Sequence, residues 1–188
     1  MAKNNLWDMA GLDIFLQSLN EKELKKYAKG IVQQPNLSPL KGVGISAEFF
    51  APRVPLKLKE KDKNALKLME SQFLWKTDFS EILSNPYDAL IVTDSAQTII
   101  WTNPGFFEMT GYYGSYAIGK QPSFLQGAAT STETKAAIRD QLLRGRPFTE
   151  KILNYKKNEE EYWCEIMIFP LKHKGKITHF LALETELI

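Results

Sequence analysis

The stretch Asn103-Pro-Gly-Phe-Phe-Glu-Met-Thr-Gly-Tyr112 lies where the pattern of the sequence changes from strands to helices. Before it, Ala89–Thr93 is apolar and β-branched, and Thr98–Trp101 returns after a polar turn, which predicts two short antiparallel strands. After it, short helical pieces are predicted across residues 103–127. The stretch therefore joins a predicted β hairpin to a helical region.

Farther along the chain, the sequence predicts one regular helix and three longer strands. Ser131 is suited to cap a helix that runs to about Arg144, and Gly145 is suited to end it. The strands are predicted at 147–156, 161–171 and 176–187. Two strands, several small helices and three more strands indicate the α+β class, with one antiparallel sheet and helices on one face.

The N-terminal part, residues 1–84, is predicted to be a helical extension of a domain at 85–188. Residues 8–29 carry apolar side chains at helical spacing, whereas the proline- and glycine-rich stretch 31–58 predicts an irregular linker. Residues 61–84 predict an amphipathic helix with two adjacent apolar stripes. So broad an apolar face packs either on its own domain alone or on a partner helix as well.

The composition limits the class of function. The formal charge is +2, from 24 basic and 22 acidic residues, which gives no electrostatic reason to expect nucleic-acid binding. The single cysteine, Cys164, excludes an internal disulfide and a zinc site made mainly of cysteines. The sequence shows neither a signal pattern nor a long apolar run, so a cytoplasmic protein without a membrane partner is expected.

Five ordered blocks of sequence resemble the PAS domains of the light-oxygen-voltage (LOV) subclass. The blocks are Asp88-Ala-Leu-Ile-Val-Thr-Asp94, the Asn103–Tyr112 stretch, Gly119-Lys-Gln-Pro-Ser-Phe-Leu-Gln-Gly127, Ile138-Arg139, and Asn154-Tyr-Lys-Lys-Asn158 followed by Tyr162-Trp163. The resemblance implies a PAS fold, a five-stranded antiparallel sheet with small helices on one face. It also implies a sensory role in signal transduction, and a homodimer formed through helix 61–84 and the sheet face.

The resemblance further implies a flavin pocket, and the sequence departs from the LOV pattern there. Pro122 stands where LOV domains carry the Cys that forms the photoadduct, and Ser123 stands where they carry an Arg that meets the flavin phosphate. Cys164 and Glu184 stand at two strand positions whose Asn and Gln contact the flavin ring. The candidate ligand contacts are therefore Asn154, Gln126, Arg139, Cys164, Glu184 and Asn103.

These replacements weaken the binding of flavin mononucleotide (FMN). A thiol donates and accepts hydrogen bonds only weakly, and an ionised Glu184 only accepts, so it would repel the ring carbonyls. The loss of Arg at position 123 removes a charge-assisted bond to phosphate. Cys164 lies on a predicted strand, whereas the reactive Cys of LOV domains lies on a helix, so Cys164 is interpreted as a small buried core residue.

The sequence thus predicts a sensory module that binds a small ligand, or a partner protein in trans, without photoadduct chemistry. One alternative is an FMN-binding protein that senses light or redox state through flavin reduction, and another is a scaffold whose cavity is filled by its own side chains. No catalytic or metal-binding constellation is evident in the sequence, so an enzyme is not expected. His173 is predicted to lie in a solvated turn and His179 to face outward from its strand.

Overall fold

The structure is a computed structural model that describes residues 56–187, with side chains from residue 58. The helix predicted at 8–29 and nearly all of the linker predicted at 31–58 lie outside these residues. Residues 56–84 belong to the same compact unit as the strands that follow them.

The elements follow the order predicted from residue 85 onward. The helices are α1 (Leu56–Phe73), α2 (Phe79–Ile82), α3 (Gly105–Thr110), α4 (Gly114–Ala117), a 3-10 turn (Pro122–Leu125) and α5 (Thr132–Arg144). The strands are β1 (Ala89–Asp94), β2 (Ile99–Thr102), β3 (Phe148–Tyr155), β4 (Glu161–His173) and β5 (Lys176–Leu187). They form one antiparallel sheet in the order β2-β1-β5-β4-β3, which confirms the predicted fold class.

The predicted caps of α5 are both present. The Ser131 hydroxyl accepts a hydrogen bond from the Thr134 amide at 3.1 Å, which satisfies one of the free donors at the helix N-terminus. Gly145 ends the helix at φ 63°, a left-handed conformation in which glycine carries no Cβ penalty.

The single helix predicted over 61–84 is corrected to two helices. Leu74 adopts φ 57° directly after α1, and Asp78 begins α2 by accepting a hydrogen bond from the Ser80 amide at 2.9 Å. The break brings Trp75 back against the sheet, where the ring is buried. Burial of this large ring outweighs the helical propensity of the segment, a tertiary effect that periodicity does not reveal.

The sheet separates two apolar cores. The core on its inner face joins β1, β3, β4 and β5 to α3, α4 and the 3-10 turn. The core on its outer face joins the sheet to the α1–α2 segment, and its fully buried members include Leu66, Leu90, Leu181 and Leu183. One stripe of α1 therefore packs on the chain's own sheet, whereas Leu68 on the same helix is exposed.

A buried polar network fixes α1 to the sheet. The Asp62 carboxylate on α1 accepts hydrogen bonds from the Tyr87 hydroxyl and the Asn103 amide, each at 3.0 Å. The Asn103 carbonyl in turn accepts from the Leu90 amide at 2.8 Å. Burial raises the pKa of Asp62, and the two hydrogen bonds oppose that rise because they stabilise the ionised form.

Both histidines contact the end of α1. His179 Nδ1 lies 3.3 Å from Trp75 Nε1, and its ring centroid lies 4.2 Å from that of Phe73. His173 Nδ1 lies 3.0 Å from the Leu74 carbonyl oxygen. His179 does face the outer side of the sheet, but α1 and Trp75 bury it, and this burial lowers its pKa.

The network around Asp62 predicts a large effect of Asp62→Ala on stability. The substitution leaves the buried Tyr87 hydroxyl and Asn103 amide without their acceptor, so we expect the free energy of unfolding to fall by about 2–4 kcal/mol. Urea denaturation followed by far-UV circular dichroism measures the change. Asp140→Ala, which removes an exposed pair with Arg144 on α5, is the matched control and should have little effect.

A loss below about 1 kcal/mol in Asp62→Ala would contradict this account. It would show that water replaces the carboxylate and that the network does not determine how α1 is held.

Candidate ligand cavity

A cavity of about 180 Å³ lies between the inner face of the sheet and the helical layer. Strands β1, β3, β4 and β5 form one wall, and the 3-10 turn and α5 form the other. About half of the lining residues are apolar: Ile91, Pro122, Leu125, Ile138, Leu142, Ile152, Ile166, Ile168, Phe180 and Ala182. Apolar walls combined with polar groups that orient a ligand are typical of small-molecule sites.

The polar lining residues differ in their access to water. Glu184 and Asn154 are buried, at 4% and 5% exposure. Gln121, Ser123 and Arg139 are exposed, so the cavity opens on the side of the 3-10 turn and α5. The deep end of the cavity therefore carries a carboxyl and an amide, and its mouth carries a guanidinium.

Glu184 occupies the deep end because of its register in the central strand. On β5 it pairs with Ala89 of β1 on one side and with Ile166 of β4 on the other, and neither side chain can donate a hydrogen bond. Its Oε2 atom is buried and makes no hydrogen bond to any described residue. Desolvation raises the pKa of Glu184 from 4.5 to about 7.

A second unpaired polar atom lies on the neighbouring strands. Asn154 of β3 pairs in register with Tyr162 of β4, and the buried Tyr162 hydroxyl makes no hydrogen bond of good geometry within the described residues. Burial raises the pKa of Tyr162 first, and the nearby charge of Glu184 raises it further. The sheet side of the site thus holds buried polar groups without satisfied partners, an arrangement that is rare in folded proteins.

Cys164 lies on the same face of β4 as Ile166 but belongs to the packed core. It is fully buried and is not among the lining residues, and its sulfur lies 3.8 Å from the Glu165 carbonyl oxygen, a weak contact. Burial raises its pKa well above the ordinary value, so the group is a thiol and not the nucleophilic thiolate. The helical side of the cavity presents Pro122 and Ser123.

Four of the six candidate contacts line the cavity: Asn154, Gln126, Arg139 and Glu184. Cys164 lies beside it in the core, and Asn103 lies away from it, because its amide is engaged with Asp62 and with the Leu90 backbone. The structure adds Thr93 and Lys135, which sequence reasoning missed. Thr93 could have been identified by alternation along β1 from Ile91, and Lys135 by its one-turn spacing from Arg139 on α5.

Two further findings concern the described residues. They contain no group of three or more His, Cys, Asp or Glu side chains arranged to hold a metal ion. Among their helices, none combines the length and the apolar character needed to cross a membrane.

Comparison with known proteins identifies the fold family. A family model described as a PAS domain matches residues 88–186, more than half of the chain. The chain belongs to the PAS domain family. Solved LOV domains are among the structures to which it is similar.

Two curated relatives illustrate the likeness. Phototropin-2 of Oryza sativa subsp. japonica is 32% identical over 113 residues, which are 58% of this chain and 12% of that protein. A blue-light-activated histidine kinase of Rhizobium johnstonii is 34% identical over 102 residues, 52% of this chain and 30% of the kinase. The PAS domain therefore corresponds to less than a third of either relative.

Solved structures of LOV proteins are also similar to this chain. The Rhodobacter sphaeroides LOV protein is 30% identical, with a TM-score of 0.51 over 53% of this chain and 60% of that one. The LOV domain of the Erythrobacter litoralis EL346 blue-light-activated histidine kinase is 25% identical, with a TM-score of 0.51 over 55% of this chain and 97% of that one. The dark structure of Aureochrome1 LOV is 23% identical at a TM-score of 0.55, and shows the shared fold.

The pKa of Glu184 predicts a pH-dependent cost to folding. A carboxyl whose pKa is higher in the folded than in the unfolded protein stabilises the fold while protonated, and that stability is lost as the pH rises from 4.5 to about 7. Glu184→Gln preserves the size and shape of the side chain but removes its ionisable group. We expect the two proteins to be similar in stability near pH 4.5, and the variant to be more stable by about 3 kcal/mol near pH 8.5.

Urea denaturation across this pH range provides the measurement. Glu165→Gln, on the opposite face of β4, serves as the control and should retain the pH dependence of the unsubstituted protein. If Glu184→Gln lost stability with pH just as the unsubstituted protein does, Glu184 would not be the group that titrates.

Proposed function

We propose that this chain is a sensory signalling module whose LOV-type PAS domain binds a small ligand, or a partner protein, and works without a cysteinyl photoadduct. One observation carries the proposal. The only cysteine, Cys164, is buried as a thiol in the core beside the cavity, while the helical wall presents Pro122 and Ser123. A thiol that forms an adduct with a ligand must face it in the cavity, and Cys164 lies in the core and not in the lining.

The position of Glu184 suggests how a bound ligand acts on the rest of the chain. Glu184 faces the cavity, while Leu181 and Leu183 on the same strand pack beneath α1 on the other face. A ligand that alters the hydrogen bonding or the charge of Glu184 would shift β5, and a shift of β5 would alter the packing of Leu181 and Leu183 against α1. We propose that the output is a change in how firmly α1 is held.

Association is part of the proposal. The stripe of α1 that contains Leu66 is already buried against the sheet, so a second copy or another partner would contact the surfaces left exposed. These include Leu68 and Leu74 at the helix and Trp163 on the outer face of β4, which is 54% exposed. The protein is proposed to act in the cytoplasm and to pass its signal in trans.

Binding of FMN is the second candidate function. Asn154 can donate and accept hydrogen bonds at the edge of a flavin ring, Gln126 can do the same, and Arg139 at the mouth can bind a phosphate. The fit is partial, because the cavity of about 180 Å³ is smaller than the roughly 300–1,000 Å³ of typical cofactor and ligand sites. When bound, the flavin would supply absorption of blue light and redox chemistry.

The scaffold alternative is less well supported. The cavity persists beside Phe180 and Leu125, and the buried Glu184 Oε2 faces it without a partner. A buried carboxyl lowers the stability of the fold unless something pairs with it, so a cavity with a purely structural role does not explain Glu184.

Mass spectrometry and absorption spectroscopy of the purified protein test the proposal directly. We expect native mass spectrometry to detect a small molecule, or a second protein, that is released on denaturation. A protein that binds neither of these, and takes up no added FMN, would contradict the proposal.

Substitution of Cys164 tests whether this thiol forms an adduct with a flavin. With FMN supplied, blue light should produce no thioether adduct in the unsubstituted protein or in Cys164→Ala, because no thiol faces the cavity. Absorption spectra recorded before and after illumination give the readout. An adduct that disappears in Cys164→Ala would show that Cys164 is photoactive and would overturn the proposal.

Pro122→Cys is the positive control for flavin binding. If FMN lies in this cavity as in other LOV domains, the new thiol on the helical wall should form an adduct under blue light. Binding of FMN together with adduct formation in this variant alone would support the flavin candidate.

A further inference from the structure

The cavity carries opposite charges at its two ends. The carboxyl of Glu184 lies at the deep end, and the cationic side chains of Lys135 and Arg139 lie along α5 towards the mouth. Oε2 of Glu184 is buried and has no hydrogen-bond partner among the described residues. A ligand is therefore the natural source of the missing partner for Oε2.

From this geometry we infer that the cavity binds a compact nitrogen base of one or two rings, whose protonated N–H edge donates to Glu184. The inference rests on the proposed function and specifies the chemical class of its ligand. It assigns to Glu184 the role of charge partner, which a neutral amide at the same position could not fill.

The surroundings of Glu184 favour a donor over an acceptor. Oε2 is a free acceptor, and the paired neighbours Ala89 and Ile166 supply no donor. An N–H cation would satisfy that acceptor and neutralise the carboxylate at the same time, and hydrogen bonds between charged groups are stronger than neutral ones. At a pH above about 7, where the carboxyl is ionised, a carbonyl or an anion at this position would be repelled.

The size of the cavity limits the ligand. A buried apolar cavity of about 150 Å³ holds one benzene ring, so a cavity of about 180 Å³ suits one ring or a small bicycle. The walls are formed by Ile152, Ile166 and Phe180, which suit a flat apolar body. An acidic substituent at the far end of the ligand would point towards Lys135 and Arg139.

Other ionisable groups near the cavity affect the same equilibrium. They are Asp88 before β1, Glu150 on β3, Tyr162 and Cys164 on β4, Glu186 on β5, and Lys135 and Arg139 on α5. Tyr162 and Cys164 have raised pKa values and are neutral at pH 7. Glu186 forms an ion pair with Lys156 at 2.7 Å. Glu184 differs from these groups because it lines the deep end of the cavity and burial raises its pKa to about 7.

Isothermal titration calorimetry with benzamidine tests the inference. Benzamide is its neutral analogue and benzoate its anionic one, and FMN is titrated in parallel. At pH 8 we expect benzamidine to bind at least tenfold more tightly than benzamide, and benzoate not to bind. Because binding requires the ionised carboxylate, affinity for benzamidine should fall about tenfold for each pH unit below about 7.

Glu184→Gln should abolish both the preference for benzamidine and its pH dependence, with circular dichroism confirming the fold. Glu165→Gln, which changes a carboxylate on the opposite face of the sheet, should retain both.

The outcomes separate this inference from the proposed function. If FMN or a co-purifying small molecule binds while benzamidine binds no better than benzamide, the ligand class is wrong and the proposed function stands. If no small molecule and no protein partner binds, both are overturned. Equal affinity for benzamidine in Glu184→Gln would also overturn the inference, because the carboxylate would then have no role.

Discussion

Antiparallel pairing of the central strand β5 with β1 on one side and β4 on the other is the constraint on which both faces of the structure depend. Side chains alternate along a strand, so this register decides at once which residues face the cavity and which face α1. Glu184 faces inward between Ala89 and Ile166, while Leu183 faces outward beneath the helix. A shift of one residue would exchange these roles and destroy both cores.

The buried carboxyls of Asp62 and Glu184 differ in whether their oxygens have hydrogen-bond partners. Asp62 receives hydrogen bonds from Tyr87 and Asn103, so its burial contributes to a fixed contact between a helix and the sheet. Glu184 keeps an oxygen without a partner at the deep end of the cavity. A buried polar group that is satisfied specifies structure, whereas one that is unsatisfied lowers stability until something binds to it. This contrast distinguishes the structural carboxyl from the candidate functional one.

Local signals made much of the fold predictable from the sequence. Ser131 and Gly145 define the ends of α5 because caps depend on a few neighbouring residues, and the strands follow from alternation and turns. Alternation predicts that Phe180, Ala182 and Glu184 share a face of their strand, and the resemblance to LOV domains implied that this face points inward. The break at Leu74 was not, because it depends on where Trp75 is buried. The pairing of Asp62 with Asn103 joins residues 41 positions apart, a separation at which periodicity carries no information.

The contact between Trp75 and His179 has a consequence for the chemistry of the imidazole ring. The indole N–H can only donate, and it lies 3.1 Å from Thr178 Oγ1 and 3.3 Å from His179 Nδ1. Nδ1 also lies 3.0 Å from Thr178 Oγ1, so the neutral ring carries its proton on Nε2 when Nδ1 accepts from the indole, and on Nδ1 when it donates to the hydroxyl. Nitrogen chemical shifts distinguish the two neutral tautomers of histidine. The chemical shifts of the His179 ring nitrogens are thereby a spectroscopic label for the packing of Trp75 in the outer core, built into the protein without any added probe.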